Sequence, residues 1–139
     1  MDHVELFVPD QYEAARWYQA VFGMEVLKPF ESWAQAGPLM ISSDGGSTKL
    51  ALFKGQPLGD RAAVGFRRVA FRVDGAGFLT FLSRLEQHPL MNGGQPVTPA
   101  DVVDHDLSFS IYFVDPWGNP YEVTTYDMDS IRSQLRLMR

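Results

Sequence analysis

The chain is written twice, and that constrains its fold more than any other feature. "HVELFVPD" at 3–10 lies over "RVAFRVD" at 68–74, so that Val4, Leu6 and Val8 match Val69, Phe71 and Val73, with Pro9 the one extra residue. Both stretches alternate with period two, as a half-buried strand does. Each ends on an aspartate, Asp10 or Asp74, a residue type suited to capping a helix N-terminus. Glu13 completes an Asp-x-x-Glu box after the first of them. The helices that follow also match. Ala14, Trp17, Tyr18 and Val21 stand at i, i+3, i+4 and i+7, and Phe78, Phe81, Leu82 and Leu85 repeat that stripe. Gly23 is placed to stop the first helix. Finally "DGGSTKLALF" (44–53) lies over "DPWGNPYEVT" (115–124) without a gap, each a turn followed by a strand.

Four matched elements in the same order define two similar modules of strand, helix and further strands. Each alone would expose one sheet face and one helix stripe, so neither is expected to be stable by itself. The expected class is α+β, with curved sheet and helices outside. The expected bounds are 1–54 for the first module, 55–66 for a linker and 67–127 for the second module. A short C-terminal helix at 128–139 follows, with Ile131, Leu135 and Met138 on one side. The segment 88–108 breaks the pattern with its Gly and Pro. It reads as a lid or as a strand flanked by loops, with a short strand near Gln95 to Val97.

Composition narrows the function classes. A chain of 139 residues with 45% hydrophobic content makes one domain, or two small halves sharing a core. A net charge of -5 leaves no electrostatic footprint for nucleic acid. Zero cysteines exclude a disulfide framework, thiolate metal sites and a cysteine nucleophile. The apolar runs are too short to cross a membrane, and no signal-peptide core follows Met1, so the expected location is cytoplasmic.

Alternation assigns the faces. If Val4, Leu6 and Val8 face the helix, His3, Glu5 and Phe7 face the other way. In the second module Arg68, Ala70 and Arg72 take that open face. In the last strand Tyr121, Val123 and Thr125 alternate with Glu122, Thr124 and Tyr126, and the repeat sets Glu122 against Ala51. The positions His3, Ala51, Arg68 and Glu122 are thus expected on open faces, with His3 and Glu122 turned towards a common pocket.

The stretches "DHVELFVPDQYEAARWYQAVFGMEV", "RRVAFRV" and "SIYFVDPWGNPYEV" resemble the vicinal oxygen chelate superfamily, which includes glyoxalase I, bleomycin-resistance proteins, fosfomycin-resistance enzymes and extradiol dioxygenases. The resemblance implies tandem βαβββ modules forming an open, eight-stranded, barrel-like sheet. It also implies a homodimer and a divalent metal chelated by substrate oxygens. Carried over residue by residue, the family's ligand positions fall on His3, Ala51, Arg68 and Glu122. Relatives with a metal usually have histidine where this chain has Arg68. A catalytic metal normally keeps about three protein ligands. Imidazole and carboxylate suit Mn, Fe, Ni, Co or Zn, but a guanidinium stays protonated and brings a fixed positive charge. The alternative to a metal is that Arg68 and Glu122 pair with each other, which satisfies Glu122 without an ion.

Three readings follow from this. In the first, the chain is a glyoxalase- or dioxygenase-like enzyme in which His3 and Glu122 are catalytic and hold a metal that activates an oxygenated substrate. The third ligand is then water, a substrate oxygen, Glu5 or His105, although an exposed loop histidine is the simpler account of His105. In the second, it is a metal-free small-molecule binding protein of the bleomycin-resistance type. Arg68 and Arg72 then receive an anionic or carbonyl group beside Glu5, Thr124 and the aromatic residues Phe7, Trp33, Tyr112, Trp117 and Tyr126. In the third, the modules serve only assembly, through the C-terminal helix. The expected partners are a small-molecule ligand and a second copy of the chain, with neither nucleic acid nor membrane.

Overall fold

The computed structural model describes residues 2–55 and 68–139, and the chain divides into two compact units, Met1–Ala62 and Ala63–Arg139. Apart from Gly55, the expected linker lies outside the described residues. Both units mix helix with sheet, so the class is α+β.

In the first unit, β1 (His3–Val8) leads into α1 (Gln11–Phe22). The short β2 (Glu25–Val26), a 3₁₀ segment (Lys28–Gln35), β3 (Leu39–Ser42) and β4 (Lys49–Lys54) follow. The sheet order is β1-β4-β3-β2, with β1 parallel to β4 and the other pairs antiparallel. The local signals act as the sequence suggests. Asp10 holds an extended backbone while its carboxylate accepts the Glu13 N–H at 2.8 Å. Gly23 sits at φ 67, a left-handed conformation that glycine adopts without a Cβ clash, and its N–H closes on the Gln19 carbonyl. The helix buries Ala14, Ala15, Tyr18 and Val21, and the sheet buries Leu39, Ile41, Leu50 and Leu52. Each large aliphatic side chain so removed from water contributes about 1.5–3 kcal/mol.

The second unit repeats the plan. β5 (Val69–Arg72) is followed by α2 (Gly75–Ser83), whose N-terminus is capped by the Asp74 carboxylate on the Gly77 N–H at 2.7 Å. The strands β6 (Met91–Asn92), β7 (Gln95–Pro96), β8 (Val103–Asp104), β9 (Phe109–Val114) and β10 (Pro120–Thr125) come next, and α3 (Met128–Met138) closes the unit. β10 lies between β5, to which it is parallel, and the antiparallel β9. The far edge of β9 is shared by β6 near one end and β8 near the other. The segment after α2 thus holds a hairpin over 91–96, which includes the strand expected near Gln95, then a 3₁₀ turn at Pro99–Asp101 and the two residues of β8. The second helix stripe is cut short: α2 ends at Ser83, so Leu85 is buried from beyond the helix.

α3 docks on its own unit. Met128, Ile131 and Leu135 are buried, and the Asp127 carboxylate accepts the Gly75 N–H at 2.8 Å, tying the start of α3 to the start of α2. The apolar side that the assembly reading would present to a partner is therefore already covered. No helix among the described residues is long and apolar enough to cross a membrane.

Candidate functional site

The open face of the first unit is set by the parallel pairing of β1 with β4, which places His3 beside Lys49, Glu5 beside Ala51 and Phe7 beside Phe53. His3, Glu5 and Phe7 are exposed, and the Phe7 and Phe53 rings meet at 6.1 Å. Ala51 lies on this face as expected, but it is buried. His3 is engaged by its own chain neighbours: its Nδ1 lies 2.7 Å from Asp2 Oδ2 and its Nε2 lies 3.5 Å from Glu5 Oε1. The Asp2 hydrogen bond raises the imidazole above its ordinary value near 6.5, desolvation works against it, and Glu5 adds to the rise. Asp2 also receives Lys49 Nζ at 2.8 Å, and Lys49 first and His3 second lower the Asp2 carboxyl.

The open face of the second unit runs across three strands. Glu122 on β10 pairs with Ala70 on β5 and with Tyr112 on β9, so the three share one row. In an antiparallel pair such direct neighbours have Cβ atoms roughly 5 Å apart. Arg72, Thr124 and Ser110 form the next row. Here one of the alternatives is not realised. No ion pair joins Arg68 to Glu122. The Arg68 guanidinium instead lies 4.4 Å above the centroid of the Tyr112 ring. To reach β9 from the β5 side it must cross over β10, a span of two strand spacings, about 9.6 Å. A cation over a phenol ring is favourable without an anionic partner, which is why the pair expected from charge alone does not form. Among the described residues the Glu122 side chain has neither hydrogen bond nor ion pair, and Arg68 Nε is buried without an acceptor. A buried donor left in that state costs about 1–3 kcal/mol.

The other expected ligand contacts divide. Arg72 is exposed and stacks over Tyr126, 5.0 Å from its centroid. Thr124 is buried, and its hydroxyl is committed to the chain, accepting from Ser110 Oγ at 3.0 Å and donating to the Phe109 carbonyl at 3.2 Å. Trp33 is exposed on the 3₁₀ segment, tilted against Phe30 at 4.9 Å, and Trp117 is half-buried in the turn before β10. The sequence offers His105 as a third metal ligand, with an exposed loop residue as the simpler account. It is exposed, but its Nε2 lies 2.6 Å from the Tyr112 hydroxyl, in line with the Glu122 row. The signal for it lay in register: β8 pairs Val103 with Ser110, so the side chain two residues on from Val103 turns to the face of Tyr112.

The implied metal finds a poor donor set. Ala51 carries no donor, Arg68 carries a permanent cation already packed on a ring, and among the described residues no three His, Asp or Glu side chains are grouped to hold an ion. The two remaining ligands, His3 and Glu122, fall short of about three, the number that a catalytic centre normally keeps. These residues do not fit a resident metal.

Comparison with known proteins agrees with the fold. Residues 1–123 match the Glyoxalase/Bleomycin resistance protein/Dioxygenase superfamily, and the chain belongs to it. Among solved structures it is similar to the genomically encoded fosfomycin resistance protein FosX from Listeria monocytogenes. There the TM-score is 0.64 at 17% identity, covering 90% of this chain and 91% of that one. It is also similar to a glyoxalase/dioxygenase from Nostoc punctiforme, with a TM-score of 0.63 at 21% identity and coverage of 90% and 89%. A further FosX structure from Listeria monocytogenes, complexed with Mn(II) and sulfate ion, has a TM-score of 0.61 at 16% identity and coverage of 94% and 95%. Comparison with curated protein sequences returns no match.

Proposed function

We propose that this member of the glyoxalase, bleomycin-resistance and dioxygenase superfamily takes a small oxygenated molecule on the open face of its second module, with Arg68 in the place of a metal ligand. The observation that carries the proposal is the state of two neighbours. Arg68 Nε is buried without an acceptor, and Glu122 has no partner among the described residues. A ligand carrying an acceptor for the one and a donor for the other relieves both. The guanidinium is held in advance by the Tyr112 ring. Its fixed charge stabilises negative charge developing on a carbonyl or carboxylate oxygen, to which Nε is offered once the side chain turns to uncover it. Glu122 accepts a proton or a hydrogen bond from the same ligand. Arg72, stacked on Tyr126 one row away, supplies a second cation for a larger anionic ligand.

The test is a small-molecule screen by thermal shift, followed by calorimetry on whatever binds. Arg68→Met should weaken that ligand by roughly 10- to 100-fold, the loss of one or two charge-assisted hydrogen bonds. Unchanged affinity refutes the role of Arg68. The unpartnered carboxylate of Glu122 also favours a metal-assisted reading. Dialysis against Mn, Fe, Ni, Co and Zn separates the two: we expect no metal retained in stoichiometric amount. An ion retained by the native chain but lost from both His3→Gln and Glu122→Gln would establish the metal-assisted reading instead. The homodimer implied by the resemblance is part of this proposal and is checked by light scattering.

A further inference from the structure

The open face of the second module holds an acid and a base side by side that do not pair. The Arg68 guanidinium lies 4.4 Å over the Tyr112 ring, and the half-buried Glu122 side chain has neither hydrogen bond nor ion pair among the described residues. The two are near neighbours. Glu122 stands between Ala70 and Tyr112 in one row, and Arg68 lies on the ring that ends that row. Nothing else in the row serves the carboxylate. Ala70 has no polar side chain, and the Tyr112 hydroxyl is held 2.6 Å from His105 Nε2. In the next row the Ser110 and Thr124 hydroxyls are engaged with each other and with the Phe109 carbonyl, and Arg72 lies 5.0 Å over Tyr126. Among the described residues of these two rows Glu122 is the only acid, and both cations have turned to rings.

In contact with water, unpaired charges such as these cost little. A ligand that covers the face removes that water, and a charge left uncompensated beneath it is then strongly destabilising. A neutral ligand would leave two such charges, and a ligand of one sign would leave one. Only a ligand with an anion and a cation of its own, in the reverse order, balances the pattern. The superfamily resemblance implies a cation against Glu122. This chain lacks the donor set that would hold a metal there, so the cation has to arrive with the ligand. The demand at Arg68 is as specific. A ligand that draws the guanidinium off the Tyr112 ring has to replace a cation–π contact. A neutral carbonyl brings one hydrogen bond to that exchange. A carboxylate brings two, in the bidentate geometry that matches a guanidinium.

We infer that the ligand of this face is a zwitterion, an α-amino acid, with its ammonium on Glu122 and its carboxylate on Arg68. This rests on the reading of the face given above and names the class of ligand. In an α-amino acid a single carbon joins the two charged groups. The row sets a matching span, because Tyr112 and Glu122 are direct cross-strand neighbours whose Cβ atoms stand roughly 5 Å apart. The exposed Ala70 beside Glu122 leaves room for the amino-acid side chain.

The experiment is calorimetry with the full chain at neutral pH, in buffer containing EDTA. The common L-amino acids are first ranked by thermal shift at millimolar concentration. The best is then compared with its 2-hydroxy acid, which exchanges ammonium for hydroxyl, and with its α-amide, which removes the carboxylate charge. For L-phenylalanine these are L-3-phenyllactate and L-phenylalaninamide. Each change should weaken binding to the native chain at least about tenfold, the loss of one charge-assisted contact. Glu122→Gln should bring the amino acid and its hydroxy acid to within about twofold of each other. Arg68→Met should weaken both alike. The ligand comparison is made on the native chain, so it decides even if a variant fails to fold. The inference is overturned if no amino acid binds, if either analogue binds as tightly as the amino acid, or if Glu122→Gln keeps the full preference for ammonium. A hydroxy acid that binds best and is weakened by Arg68→Met leaves the reading of the face standing and removes the zwitterion. An amino acid preferred through Glu122 whose affinity Arg68→Met leaves unchanged refutes the reading of Arg68 instead, and the ammonium contact stands.

Discussion

The two modules share a backbone plan and differ in what each does with its open face. In both, an aspartate closes the turn before the last strand, and the residue four positions later answers it twice. Thr48 N and Oγ1 donate to Asp44 at 2.9 and 2.7 Å, and Asn119 N and Nδ2 donate to Asp115 at 2.8 and 2.7 Å. From those matching turns the chain enters strands of opposite chemistry. The first places the apolar Ala51 at the position where the second places Glu122. His3 binds the nearby acids Asp2 and Glu5, whereas Arg68 does not pair with Glu122 and lies on a ring. The duplicated frame is thus held by local hydrogen bonding that both copies keep, and the chemistry is free to diverge on the face that the frame does not use.

The turns offer the sharpest way to break that comparison. Asp115 is buried and also accepts the Trp117 N–H at 3.0 Å, so Asp115→Ala leaves several donors without their acceptor. About 3 kcal/mol should be lost. Asp44 is exposed; the Thr48 N–H first, then the Thr48 and Ser42 hydroxyls, hold its carboxyl well below the usual range. Water can replace that carboxylate, and Asp44→Ala should cost clearly less. Urea unfolding of the two variants measures both. Equal losses would mean that burial does not distinguish the turns.

That much of the frame was legible, and the reason is physical. Alternation of period two survives in any strand with one buried face, so β1, β5 and β10 and the sides taken by His3, Glu5, Arg72 and Glu122 could be read from the residues alone. The gapless match of 44–53 with 115–124 carried the paired turns. What could not be read depends on side chains crossing between elements. The Arg68 side chain bridges from β5 to β9 over an intervening strand, and no spacing in the sequence encodes that reach. His105 gains its place from a two-residue strand pinned by Arg132, 27 positions later, in a segment without periodicity. The 3₁₀ segment at Lys28–Gln35 left no helical stripe to find.

The first helical residue, Gln11 in one copy and Gly75 in the other, gives the next prediction. Gln11 is buried and its amide donates to the Gly37 and Leu52 carbonyls at 2.8 and 2.6 Å, fastening α1 to its own sheet. Gly75 has no side chain because α3 lies there. A Cβ at that position would stand 2.7 Å from Ile131 Cγ2, 3.0 Å from Ser130 Oγ and 3.1 Å from Asp127 Cβ. Gly75→Ala should therefore cost about 2 kcal/mol by forcing α3 off α2. Amide exchange should quicken along α3 and at His105, which follows the strand that Arg132 of α3 holds through Asp104, with no matching change in α1. A variant as stable as the native chain would show that α3 yields freely.

The smallest effect separates the two faces by pH. His3 titrates in the working range, and its folded value is raised. A raised value means that the contribution of His3 is fully present below the unfolded value near 6.5 and is lost as pH rises through the folded value. Asp2, whose carboxyl is lowered by Lys49 and His3, stays ionised across that interval, so the change belongs to the imidazole. His3→Gln should therefore melt below the native chain at about pH 5.5, and the gap should close as the pH is raised towards about 9. Because both partners are exposed, the gap should be slight and should narrow in high salt. A gap that widened with pH would mean that the imidazole is stabilised neutral, and that Asp2 does not hold it charged.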